Sequence, residues 1–259
     1  MTDFLDVLAH VAQITIESEY YDAAKPAESR HLSLKKAITE CDVVPVISEI
    51  KVASPSAGVI KKDADVRAIA RSMQKGGAVG LSVLTEPKQF NGSLEALSQA
   101  RETVNLPILF KDIILSPIQV QAAAKMGANA VLLIQTLFDR GYGERSLREI
   151  IAGAHTIGLE VLLETHSATE FQSAVETDAD LVGINNRNLG NLKVDLAVTN
   201  EILKKNSSNG KIVVSESGIN TQADIRFLLA GGARAFLIGQ AIMSSGNIEQ
   251  KIKEFVNAK

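Results

Sequence analysis

Eight short, nearly unbroken apolar runs recur along the chain, and helical patterns separate them. They fall at 45–50 (PVISEI), 79–84 (VGLSVL), 107–111 (PILFK), 129–135 (NAVLLIQ), 159–164 (LEVLLE), 180–185 (DLVGIN), 211–216 (KIVVSE) and 234–239 (RAFLIG). A strand with one wet face alternates apolar and polar residues. Runs this uniformly apolar belong to strands covered on both faces, as in parallel sheets. The intervening stretches read as amphipathic helices. Residues 63–76 open with acidic residues and stop at Gly76, and residues 116–127 open with Ser116-Pro117 and stop at Gly127. Small polar residues and proline suit a helix start, and glycine suits its end. The segments 144–157, 167–176, 196–206 and 220–230 follow the same grammar. Eight strand–helix units in a 259-residue chain favour closure into a (β/α)8 TIM barrel over an open sheet. Residues 1–44, with helical FLDVLAHVA and LSLKKAITE, form an N-terminal helical extension to this single α/β domain, expected to pack across one barrel mouth.

Composition narrows the partners. A net charge of -3 gives no overall field to draw in nucleic acid or an anionic membrane. Any anionic ligand must therefore meet a local positive site. One cysteine, Cys41, excludes an internal disulfide, and the four scattered histidines show no metal-ligand spacing, so neither metal nor cofactor is expected. These histidines, His166 among them, read as exposed or locally satisfied. The acidic start MTDFLDVLAH lacks the basic opening of a secretory signal, and no apolar run reaches membrane-spanning length. The expectation is a cytoplasmic monomer acting on a small molecule.

Charge sits at the strand ends. In such barrels chemistry lies where the strands end, at the C-terminal mouth. The first strand ends in Glu49 and Lys51, which share a face, the third in Lys111, the fifth in Glu164 and the seventh in Glu216. The sixth ends in Asn185, with Arg187 beyond it. Barrel interiors are layered from alternate strands, so Lys51, Lys111, Glu164 and Glu216 are expected in one top layer. Opposite charges there would pair and keep each group ionised. After the seventh strand comes Ser217-Gly218, and after the eighth Gly239-Gln240. Glycines in these places let backbone N–H groups approach a phosphate.

These strings resemble the indole-3-glycerol-phosphate synthase family. SEIKVASPSAG (48–58) is similar to its E-x-K-x-x-S-P-S signature on the first strand. LTEPKQFNGSLEAL (84–97), PILFKDII (107–114), LLET (162–165), GINNRNL (183–189), SESGI (215–219) and AFLIGQAIM (235–243) follow in the family's order. The resemblance implies catalytic roles for Glu49, Lys51, Lys111, Glu164, Asn185 and Ser217. It implies substrate contacts or bracing for Ser54, Phe90, Arg187 and Glu216, and phosphate binding at Gly218, Gly239 and Gln240. Three positions depart from it: Val52 replaces a common basic residue, Ile113 a frequent phenylalanine and Gln240 a small residue. The implied reaction closes an indole ring on an anthranilate-derived sugar phosphate, with loss of carbon dioxide and water. Two alternatives stand beside it. A sugar-phosphate isomerase resembling phosphoribosylanthranilate isomerase would need a Cys/Asp pair, yet Cys41 precedes the first strand. A non-catalytic phosphosugar-binding barrel would keep the glycine loops without needing Lys111 or Glu164.

Overall fold

The computed structural model describes residues 3–28, 30–54, 58–59, 64–190 and 192–259. Its centre is a closed, all-parallel barrel of eight strands. They are β1 (Val46–Ile50), β2 (Gly80–Leu84), β3 (Ile108–Lys111), β4 (Ala130–Ile134), β5 (Glu160–Thr165), β6 (Leu181–Asn185), β7 (Ile212–Glu216) and β8 (Ala235–Ile238). Each pairs with its neighbours in sequence, and β1 closes the ring by pairing with both β2 and β8. All eight expected strands are present, each within a residue or so of its sequence run. Gln135 departs from its run and begins a short helix.

Two apolar layers explain why the runs lack alternation. Ile47, Leu109, Leu132, Leu162, Val214 and Leu237 point inward and fill the barrel. Their chain neighbours Val46, Phe110, Val131, Leu163, Val213 and Phe236 point outward into the layer beneath the helices. Successive side chains of a strand face opposite ways, so both faces must be apolar when both are covered. The covering helices start where the sequence marks them. In the helix Val66–Lys75, the Asp65 carboxylate accepts from the Ala68 N–H at 3.0 Å. In the helix Pro117–Lys125, Ser116 and Gln119 form a reciprocal cap, and Gly127 follows with φ +76°. These contacts satisfy N–H groups that a helix start otherwise leaves unpaired.

The N-terminal extension does more than cover one mouth. Its first helix, α1 (Phe4–Glu17), lies at the C-terminal rim, where Arg140 bonds Asp3 at 2.7 Å and Asp6 at 2.5 Å. The chain then descends outside the barrel. Tyr20 Oη donates to the Thr85 carbonyl at 3.2 Å, Gln119 Nε2 donates to Tyr21 Oη at 3.0 Å, and Arg30 donates to the Val104 carbonyl at 2.8 Å. The second helix, α2 (Leu34–Thr39), ends beneath the opposite mouth. There the Leu34 and Lys35 N–H groups donate to Glu160, the first residue of β5, at 2.8 and 3.0 Å. Leu34 is wholly buried beside Gly80, where β2 begins; a Cβ on Gly80 would lie 2.7 Å from it. The extension is thus a strap from rim to floor. Leu5 and Leu8 at its top and Leu34 and Ile38 at its bottom join the interior cluster, and the polar contacts fix it between.

Leu34→Ala would leave a cavity at the floor and should cost about 2–5 kcal/mol of stability. A lower denaturant midpoint with an unchanged slope checks this, and activity well below the transition should be retained because the floor lies far from the rim.

Candidate active site

Where the inward face of the strands reaches the C-terminal rim, it changes from apolar to charged. Glu49, Lys51, Lys111, Glu164, Asn185, Arg187, Glu216 and Ser217 line one cavity of about 440 Å3. Phe4, Leu8, Phe90, Ile113, Ile134, Leu189 and Leu237 form apolar wall, and Gly218, Ile219, Gly239 and Gln240 lie on the loops after β7 and β8. The volume suits a small organic ligand. The structure therefore brings the expected residues to a single place, with one exception. Ser54 adjoins residues outside those described; its backbone pairs with Gly58, and its expected substrate contact lies outside what is described.

The charges are matched in pairs. Lys51 Nζ lies 2.5 Å from Glu49, two residues before it on the same face, and Glu49 is only 1% exposed. Lys111 Nζ lies 3.4 Å from Glu164 Oε2, joining the ends of β3 and β5. Asn185 Nδ2 donates to Glu164 Oε1 at 2.9 Å, while its Oδ1 accepts the Arg187 N–H at 3.0 Å. The second bond fixes which end of the amide faces the carboxylate. Burial opposes both charges of the Lys111–Glu164 pair. For Lys111 it is outweighed by Glu164, Glu216 and Glu49, which hold the ammonium above its ordinary range. For Glu164 it is outweighed by Lys111 and His166, which hold the carboxyl well below the usual carboxylate range.

Glu216 departs from expectation. The charges were expected to keep every member of the top layer ionised. Burial, then the adjacent Glu164 charge, instead push the Glu216 carboxyl well above the carboxylate range. Two carboxylates sharing one dry site cannot both ionise freely. Two glycines make room for this crowd. A Cβ on Gly183, in β6 between Glu164 and Glu216, would lie 2.3 Å from Glu216 Oε1. A Cβ on Gly239 would lie 2.5 Å from Glu49 Oε1. Gly239 was read for its closeness to a phosphate; its lack of a side chain is also what seats Glu49.

Two residues were missed. Asn186, 1% exposed, donates to Ser215 Oγ at 3.0 Å and to the carbonyls of Glu216 and Ser217 at 2.9 and 3.1 Å. It braces a turn in which Ser217 and Gly218 take left-handed φ of +66° and +84°, a conformation costly for serine. His166, read as an unremarkable histidine, is half-buried with Nε2 at 3.1 Å from Glu164 Oε1. Glu164-x-His166 repeats the two-residue spacing of Glu49-x-Lys51, and that parity was the available signal.

A closed eight-stranded parallel barrel with paired charges and glycine-bearing loops at its C-terminal mouth has the build of a TIM-barrel enzyme. Known proteins narrow the class. The family model for indole-3-glycerol phosphate synthase matches residues 5–255. Curated relatives of that name include one from Methanocaldococcus jannaschii, 44% identical over 233 residues, covering 88% of this chain and 85% of its own. Another, from Neisseria meningitidis serogroup C, is 44% identical over 207 residues, covering 80% and 77%. Among solved structures, the N-acetylmannosamine-6-phosphate 2-epimerase from Clostridium perfringens is similar, with a TM-score of 0.62 at 16% identity, over 83% of this chain and 93% of its own. That likeness is one of fold. The chain belongs to the indole-3-glycerol phosphate synthase family.

Two outcomes follow from this geometry. Gly183→Ala should displace the Glu216 carboxyl and lower kcat by about 10²-fold, the scale of a small misplacement in a catalytic site, while circular dichroism stays native. Glu216→Gln should raise the melting temperature at neutral pH. A raised carboxyl contributes its stability below the unfolded value near 4.5 and loses it as pH rises through the folded value. The gain over wild type should therefore shrink as pH falls from the folded value toward about 4.5 and be absent below it; a constant gain at all pH values would contradict the assignment.

Proposed function

We propose that this protein is an indole-3-glycerol phosphate synthase, a carboxy-lyase of tryptophan biosynthesis that converts 1-(2-carboxyphenylamino)-1-deoxyribulose 5-phosphate to indole-3-glycerol phosphate. The observation that carries this reading is the Lys111–Glu164 pair, opposed at 3.4 Å in a cavity with an apolar wall on one side and the glycine loops on another. Family membership supports it.

The chemistry sets the demands. The aryl carbon bearing the carboxylate attacks the sugar ketone, forming the ring bond. Carbon dioxide then leaves and restores electrons to the ring, and loss of water with a ring-adjacent proton gives the indole. In our reading Lys111 protonates the ketone oxygen as the ring attacks. Its fixed positive charge also stabilises the negative charge that develops there. Glu164, ionised and oriented by Asn185, takes the proton that leaves during dehydration. Lys51, held by Glu49, contacts an anionic group of the substrate and assists departure of the hydroxyl. Asn185 and Ser217 orient the sugar by hydrogen bonds. Arg187 approaches the substrate carboxylate, and Ser54 belongs to the same contact set. Phe90, with Phe4, Leu8 and Ile113, meets the aryl ring. Backbone N–H groups at Gly218, Gly239 and Gln240 receive the phosphate. Glu216, its carboxyl pushed up by burial and by Glu164, braces Glu164 and competes less with it for the lysine.

We extend the reading to a monomer that works in the cytoplasm without metal or cofactor. Acid, base and fixed charge suffice for each step, and the lone Cys41 is a free thiol.

Two rivals differ at the residue level. An isomerase of the phosphoribosylanthranilate type would require a thiol at the rim. Cys41 instead follows α2 and precedes β1, on the floor side of the strands. A binding barrel has no use for a desolvated, opposed acid and base.

Purified protein mixed with the substrate should develop indole absorbance and fluorescence with release of one carbon dioxide; folded protein that binds the substrate and forms no indole would refute the reading. Lys111→Ala should lower kcat by at least about 10²-fold, the usual range for general acid catalysis. Glu164→Gln should lower kcat more than it raises KM, because its work falls in the transition state.

A further inference from the structure

His166 lies outside the roles above and faces the cluster from behind. It follows β5 by one residue. Its Nε2 is 3.1 Å from Glu164 Oε1, and its Nδ1 is 3.6 Å from Glu170 Oε2 on the helix Ala168–Val175. Both ring nitrogens thus face carboxylate oxygens, and the ring sits between two acidic groups. It opens not on the main cavity but on a smaller polar recess lined also by Asn185, Asn186, Lys193 and Asp195. Asn185 lines both spaces.

Glu164 and Glu216 are buried on either side of Gly183, so ionising one disfavours ionising the other, and a proton held between them goes to whichever is less well paired. The surrounding cations decide which of them keeps it. Lys111 and His166 both approach Glu164 within 4 Å, and among the described ion pairs none involves Glu216. We infer that His166 is a positioning residue: a second cation set against Glu164 from the recess, which assigns the shared proton to Glu216 and leaves Glu164 free to accept the substrate's. This rests on the base role proposed for Glu164.

The groups facing His166 favour its charged form. Burial opposes the imidazolium, but Glu164 and Glu170 outweigh burial and hold its pKa at about 9. Glu170 also accepts the His166 backbone N–H at 2.8 Å, a bond that survives any change of side chain. Lys193 and Asp195, across the recess, are of opposite sign.

The test is the pH dependence of kcat for wild type and His166→Gln. Glutamine keeps a polar side chain and the backbone bond but removes the charge. In His166→Gln the acidic limb should move up by about one pH unit or more, since each unit corresponds to a tenfold change in proton affinity. Its turnover should fall below wild type across that limb, where Glu164 takes up its proton, and converge with wild type above it. A loss that is uniform across pH would reduce His166 to a strut and overturn the inference, as would an unshifted profile at full activity. Should the wild type form no indole at all, the functional reading fails instead. Carbon-13 NMR of the glutamate carboxyls then still decides: the Glu164 resonance should titrate at higher pH in His166→Gln, and an unmoved titration overturns the inference.

Discussion

A lysine ammonium partly withdrawn from water and a glutamate carboxylate almost wholly withdrawn, both at the top of the barrel, keep their charges because they face each other. Lys111 and Glu164 meet this requirement at 3.4 Å. The surrounding polar arrangement follows from it. Burying either charge alone would be prohibitive, so strands β3 and β5 must end at matching heights. Asn185 must turn its amide nitrogen toward Glu164, and Gly183 must leave room for a second carboxyl. The site is less a set of independent residues than one electrostatic arrangement in which each member sets its neighbour's protonation.

The rest of the fold holds that arrangement still. Inward apolar residues fill the barrel beneath the charges, so the strands cannot shift without disturbing a packed interior. The N-terminal strap ties rim to floor. Asp3 and Asp6 bind Arg140 at the top, Leu34 is buried beneath β2, and Phe4 and Leu8 supply part of the cavity wall. One segment thus contributes both stability and ligand surface. Asn186 serves similarly, holding the strained Ser217-Gly218 turn where a phosphate is proposed to bind.

Much of this was legible before any coordinates. The eight apolar runs became the eight strands, because residues covered on both faces leave no other signature. Helix starts at Asp65 and Ser116 were marked by the side chains that cap them. Charges at the ends of alternate strands pointed to the rim, and the ordered motif strings pointed to the family that comparison then established. The strap was half read: two helices were expected, but over one mouth rather than along the whole side of the barrel. Its path depends on contacts such as Arg30 with Val104 and Asn129, far apart in the chain and without local pattern.

The amino-acid order alone determined the element sequence and the residue types at the rim, since each is set by local pattern and by burial, while the uniformly apolar runs left inward and outward faces to the closed barrel. Only the closed barrel decided protonation and partnership. Glu164 and Glu216 look alike in sequence. One is held ionised by Lys111 and His166, and the other is pushed toward its neutral form by burial and by its neighbour. Gly239 and His166 likewise acquire their meaning from Glu49 and Glu164, to which the folded chain brings them within a few ångströms. Electrostatic energy depends on distance and on exclusion of water, and neither exists until distant strands are laid side by side.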